Sequence, residues 1–251
     1  MFTDAYPQFP NGHLLKAEHL SLLRDFPREM FALEYAGFGD GVLFGCRVNA
    51  EDGMIVVAPG VVLRAGVPYR LKEAFRIPYA PEGAYRYVNL RFADEEAQSE
   101  DIVFRGAEIV LDDAPAGENG MELGRFKLKA GARLRGDHVD FEDLDTEFDT
   151  LNAIRVPCAC RGGQTLLPFI TEFFAKEALS HRPENPLDLH FAFLCLQEDR
   201  VNLSVLQGYL RIESSDLHEL YLALTRKLAD IRGAGGAAIR KERLAHKIIV
   251  D

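Results

Sequence analysis

A change in the period of the apolar residues partway along the chain constrains its fold more than any other feature. From Gly41 to about Arg133 the apolar residues come in short runs broken by Gly, Pro and Asp, whereas after Pro157 they recur at steps of three and four. The first pattern suits strands that turn one face to a core, and the second suits helices that bury a stripe. The expectation is an α+β chain, with an N-terminal antiparallel β sandwich or open barrel over residues 1–150 and a C-terminal α-helical bundle over 151–251. With 251 residues, 47% of them hydrophobic, the chain can bury one large core or two smaller ones.

Particular residues sharpen this reading. Asp52-Gly53 between two apolar runs predicts a hairpin, because both residues tolerate positive φ. Further strands are expected at 61–64, 69–71, 85–92, 102–104, 108–111 and 124–129, with Pro68 tolerated only at a strand edge or start. Ahead of them, residues 14–30 read as a short helix leaning on the sheet through Leu15, Leu20, Leu22, Leu23 and Phe26, disturbed at Pro27. The acid-rich stretch 137–149 reads as a solvated connector anchored by its aromatic residues. It lacks the glycine a calcium loop needs for its sharp turn.

Beyond it, one helix is expected from Pro168 to near Ser180. A second opens at Asn185-Pro186 and runs toward Leu210 with a break around Asp199, and a third is capped by Ser214-Ser215-Asp216 and closed by Gly233. The third carries Leu217, Leu220, Tyr221, Leu224, Leu228 and Ile231 on one stripe, wide enough to serve either the chain's own helices or a second copy. From about 233 a flexible basic tail is expected, ending in Ile248-Ile249-Val250.

Composition narrows the function. A formal charge of −10 argues against a nucleic-acid partner, which asks for a basic face. No run approaches the roughly 20 apolar residues of a membrane helix, and the N-terminus does not read as a signal peptide, so a cytoplasmic protein without membrane insertion is expected. Four scattered cysteines, Cys46, Cys158, Cys160 and Cys195, read as buried thiols.

The chain has no nucleophile elbow, no phosphate loop and no paired metal-ligand histidines. His181, His190, His218 and His246 stand apart, and Arg161-Gly162-Gly163 reads as an ordinary turn. No catalytic, cofactor or metal residues are therefore assigned. Two alternatives stay open. One is an enzyme with Asp and His residues gathered around the acid-rich stretch; the other is a carbohydrate- or small-molecule-binding sandwich using Tyr69, Tyr79, Tyr85 and Tyr87.

Two stretches carry a resemblance. Asn11-Gly12-His13-Leu14-Leu15 through His19-Leu20 is similar to the early signature of the TssK family, baseplate subunits of type VI secretion systems. Phe193 through Leu206, followed by Asp216-Leu217-His218-Glu219-Leu220-Tyr221 and Leu224, resembles that family's leucine-rich helical hairpin. The chain has no Trp, carries Ala17 where the family has Pro, and stops after the helices where the family continues into a further domain. The resemblance implies a structural adaptor in a contractile injection or prophage tail-like baseplate. It implies a homo-oligomer, a trimer in that family, that binds baseplate wedge proteins; docking of the membrane complex is not carried over to this chain. The residues it singles out for protein contact are Gly12, Leu14, Leu15 and His19, with Leu220, Tyr221, Leu224 and Leu228 added by the stripe.

Overall fold

The computed structural model describes residues 5–94, 97–98 and 102–245. Its elements run in the order helix α1 (Ala17–Glu34), strands β1 (Gly41–Gly45), β2 (Val48–Glu51), β3 (Met54–Val57), β4 (Gly60–Arg64), β5 (Val67–Leu71), β6 (Phe75–Pro78), β7 (Tyr85–Phe92), β8 (Ala97–Gln98), β9 (Val103–Phe104), β10 (Ala107–Asp112) and β11 (Gly120–Lys127). A single 3-10 turn (Glu142–Asp145) precedes β12 (Cys158–Cys160) and β13 (Gly163–Thr165). Helices α2 (Pro168–Ser180), α3 (Pro186–Gln197), α4 (Leu203–Leu210) and α5 (Leu217–Ala245) complete the chain. The α+β class, sheets first and helices after, is as expected.

Three sheets share one core. The largest has the order β13-β12-β1-β4-β5, and the others are β10-β7-β11 and β2-β3-β6. Val42 and Val62 come from the first, Val88, Leu90, Met121, Leu123 and Phe126 from the second, and Ile55 and Val57 from the third. All pack together with Leu134, Leu151 and Val156. Pairing is antiparallel except between β1 and β12, which run parallel with Val42 opposite Cys158. The β2–β3 hairpin turns at Asp52 and Gly53, both at positive φ. Pro68 lies in β5, which among the described strands is an edge strand paired with β4 alone, so its missing N–H breaks no second ladder. Of the four tyrosines considered for stacking a ligand, Tyr87 is buried, Tyr69 packs edge-on against Phe92 and Tyr79 against Phe126.

The helices enclose a second core of Ile170, Phe174, Phe191, Leu206, Tyr209, Leu220, Tyr221, Leu224 and Leu228. Pro168 begins α2, and the Asn185 and Asn202 side chains accept from Leu187 and Ser204 N–H at 3.0 and 2.9 Å to cap α3 and α4. The break expected around Asp199 separates α3 from α4. One boundary differs. Helix α5 does not close at Gly233 but continues through Gly235 and Gly236 to Ala245. Glycine weakens a helix interior by only about 1 kcal/mol, and the Ala, Arg, Lys and Glu residues beyond are strong helix formers. Ile248-Ile249-Val250 and His246 lie outside the described residues.

The segment from 134 to 166 serves both cores in alternation. Leu134, Leu151 and Val156 pack among the sheets, while Phe141, Leu144, Ile154 and Leu166 pack among the helices. The expected division at residue 150 falls inside this segment. Three of its acids are in ion pairs: Asp143 pairs with Arg135 at 2.6 Å, Glu142 with Arg232 at 2.6 Å, and Glu147 with Lys127 at 2.7 Å. The anchoring aromatic is Phe141, which is fully buried.

Candidate interaction surface

The N-terminal arm begins with a turn in which the His13 N–H donates to the Pro10 carbonyl at 3.2 Å, with Gly12 at φ +85° in its corner. Leu14 and Leu15 follow, both exposed, and Ala17 starts α1. His19 is half-buried. Its ring lies edge-on to Phe9 at 5.9 Å, and its Nδ1 faces the Lys16 N–H at 3.5 Å. The neighbours of His19 are therefore the arm itself, and not the first strands.

At 100° per residue, Leu22, Leu33, Phe26, His19, Met30, Leu23 and Leu20 fall on one arc spanning roughly half of α1. Arg24, Arg28, Ser21, Asp25, Glu18 and Glu29 occupy the other half. A surface helix ordinarily turns its apolar arc to the core, and α1 does the reverse. None of its residues is buried, and Leu20, Leu23, Phe26, Met30 and Leu33 are 49–70% exposed. Ser21 and Asp25, on the polar half, are partly covered. Asp25, Arg28 and Ala32 line a cleft shared with Gly66 of the β4–β5 turn and with Val67 and Pro68 at the start of β5. The end of the helix packs most closely on the fold: Phe31 and Tyr35 lie with Phe38 against Leu43, Leu63 and Ala159. The sheet contact expected of Leu15, Leu20, Leu22, Leu23 and Phe26 is thus replaced by an outward apolar face. The amphipathic period was legible in the sequence, but nothing in one helix's period says which way it faces.

Leu220, Tyr221, Leu224 and Leu228 sit differently, at 0–1% exposure in the core of their own chain. Of the two uses open to the α5 stripe, the fold takes the intramolecular one. Tyr221 donates to the Phe141 carbonyl at 2.7 Å, and burial pushes its phenol well above the ordinary range.

Two polar groupings inside the fold were missed in the sequence because their members are far apart along the chain. His218 Nε2 lies 2.8 Å from Asp145 Oδ2, and Asp145 also accepts from Asn152 Nδ2 at 2.9 Å. Asp188, 5% exposed, accepts from the Tyr209 hydroxyl at 3.0 Å and pairs with Lys227 at 3.0 Å. Both tie helices to their neighbours. Asp143 is likewise committed, since the hydrogen bond from Arg135 holds its carboxyl well below the usual range. A carboxylate held ionised in this way stabilises a fold and is poorly matched to proton transfer near neutrality.

An apolar cavity of about 280 Å³ lies where the sheets meet α2, walled by Val42, Phe44, Leu123, Leu167 and Phe169, with His138 on its lining. Arg47 reaches across the Phe169 ring at 5.4 Å, and His138 Nε2 meets the Leu151 carbonyl at 3.1 Å. The thiols of Cys46 and Cys158 line the same space, and burial pushes each up to about 11, which keeps them protonated and unreactive at neutral pH. All four cysteines are buried and unpaired. Among the described residues, no group of three or more His, Cys, Asp or Glu is placed to hold a metal ion, and no helix is long and apolar enough to cross a membrane.

No family model matches the chain, and no curated protein matches it. Among solved structures, the chain is similar to one described as the crystal structure of TssK, with 11% sequence identity over 89% of this chain and 69% of that one, at a TM-score of 0.37.

Proposed function

We propose that this chain is a structural adaptor of a contractile injection system baseplate, of type VI secretion or prophage tail-like origin. It works in the cytoplasm, through protein contacts and without catalysis of its own. The observation that carries the reading is the outward apolar face of α1, contiguous with exposed Leu14 and Leu15. Apolar area of this extent on a helix that the fold leaves uncovered marks a protein contact. The residues quoted above for the TssK resemblance, Gly12, Leu14, Leu15 and His19, belong to the same arm, which supports assigning that contact to baseplate assembly.

The test is photo-crosslinking in cells, with a photoreactive amino acid at Leu15 or Phe26 and mass spectrometry of the adducts. Wedge-type baseplate proteins or further copies of the chain are expected among the products. Absence of any protein adduct at both positions would end the proposal. A second reading, binding of a small apolar ligand, draws on the cavity beside Arg47 and His138. Native mass spectrometry of the purified protein decides it, by the presence or absence of a bound small molecule.

A further inference from the structure

We infer that the cavity between the sheets and α2 binds an apolar monocarboxylate of about ten non-hydrogen atoms, with its hydrocarbon part inside and its carboxylate on Arg47 at the mouth. This deepens the small-ligand reading of that cavity, on which it rests, and is independent of the adaptor reading of α1.

The lining sets the size and the apolar character. Val42 and Leu123 from the sheets, Leu151 and Val156 from the segment between the two cores, and Leu167 and Phe169 at the start of α2 enclose about 280 Å³. Such a space suits water poorly, because an ordered water needs two to four polar partners, and an organic body supplies the contacts that its walls otherwise go without. At about 30 Å³ per water-sized group, it takes about ten non-hydrogen atoms.

The way in is at the β1–β2 connection. Of the residues on the lining, Phe44, Gly45 and Arg47 are the exposed ones. The chain reverses there with Gly45 at φ +64° and Cys46 at φ +54°, a conformation uncommon for a residue with a side chain and held here by the burial of Cys46 in the wall. This turn delivers the Arg47 guanidinium to the Phe169 ring, 5.4 Å from its centre.

Charge selects the ligand. Among the described residues the Arg47 side chain forms no ion pair and no hydrogen bond, and Phe169 covers only the face of the guanidinium, so its edge N–H groups stay open at the mouth. No Asp or Glu lines the cavity, although the chain carries a formal charge of −10. His138 commits Nε2 to the Leu151 carbonyl, and burial holds its pKa below the ordinary histidine value, so it is uncharged at neutral pH. The lining therefore carries one permanent charge, positive and at the opening, which favours an anion over a neutral or cationic molecule. A single guanidinium fork matches one carboxylate with two parallel hydrogen bonds, whereas a phosphate monoester, with about two charges, would be left undercompensated.

The experiment is calorimetric titration of the purified full-length protein with octanoate, which has ten non-hydrogen atoms, kept below its micelle concentration. Saturable binding of one octanoate per chain is expected. Hexanoate should bind roughly tenfold more weakly for its two missing methylenes, and dodecanoate no more tightly than octanoate because the cavity is already full. Arg47→Met keeps an apolar stem on Phe169 and should weaken octanoate roughly tenfold to a hundredfold, while leaving the weaker binding of 1-octanol unchanged. The side chain it replaces is exposed, and circular dichroism checks that the variant folds as the wild type does. Isotope-filtered NMR should show the octanoate chain against the methyl groups of Leu123 and Val156. No saturable binding of octanoate, equal affinity in Arg47→Met, a further gain with dodecanoate, or contacts to other methyl groups would each overturn the inference. A neutral molecule found in the protein by native mass spectrometry, with octanoate failing to bind, would overturn it while leaving the small-ligand reading standing; photo-crosslinking at Leu15 and Phe26 bears on the adaptor reading alone.

Discussion

The hydroxyl of Tyr221 donates to the carbonyl of Phe141 at 2.7 Å while their rings lie 5.0 Å apart, so one helical residue holds both the backbone and the side chain of the acid-rich segment. The aromatic packing survives in Tyr221→Phe, but a buried carbonyl loses its donor. The expected loss is about 1–2 kcal/mol in urea denaturation, larger than an isolated surface hydrogen bond would give. An unchanged midpoint would mean that the segment is held by its ion pairs instead.

Asp188 and Lys227 make a sharper case. Replacing Lys227 by Met leaves a buried carboxylate with only the Tyr209 hydroxyl as partner, and a loss of about 3 kcal/mol is expected. Asp188→Asn combined with Lys227→Met removes the stranded charge and should recover part of that loss. A double variant that is merely the sum of the two singles would argue against direct coupling.

His138 gives a pH dependence of definite sign. Burial lowers its pKa below the ordinary histidine value, so the unfolded chain takes up the proton first as pH falls. The stability tied to neutral His138 is complete above about pH 6.5 and drains away as pH drops below it. In His138→Gln, where an amide N–H can still donate to Leu151, denaturation midpoints at about pH 7.5 and about pH 5.5 should differ less than in the wild type. Equal differences in the two proteins would place the titration elsewhere.

Two glycines separate crowding from backbone conformation. A Cβ on Gly60 would sit 2.3 Å from the Cys46 nitrogen and 2.4 Å from the Phe44 oxygen, so Gly60→Ala must push β4 off β1 and should cost at least about 3 kcal/mol. Gly66 has open space around it but a φ of +75°, so Gly66→Ala should cost only about 1 kcal/mol. Thermal melts of both variants check the ordering, and a more severe Gly66→Ala would refute it.

What could be read in advance follows from the range of the forces involved. Turn chemistry and period are local, so the hairpin at Asp52-Gly53, strand β7 and the caps at Asn185 and Asp216 were visible residue by residue. Strands β6, β12 and β13 were not. They are short, and β12 is held by a partner, β1, from the other end of the chain. The same limit explains the exposed face of α1. The stripe on α5 and the stripe on α1 look alike as sequences, and only the placement of neighbouring elements buries Leu224 and exposes Phe26.

The parallel pairing of Val42 with Cys158 also dictates an order of events during synthesis. When β1 leaves the ribosome its antiparallel neighbour β4 follows soon after, but its other edge stays open until almost two thirds of the protein has been made. For that interval Val42, Leu43 and Phe44 present an apolar strand with unpaired backbone groups, the kind of template on which nascent chains stick to one another. A cell that makes this protein quickly must therefore either shield that strand or deliver β12 and β13 without delay, and a synonymous change that slows translation between residues 70 and 160 should raise aggregation without altering a single amino acid.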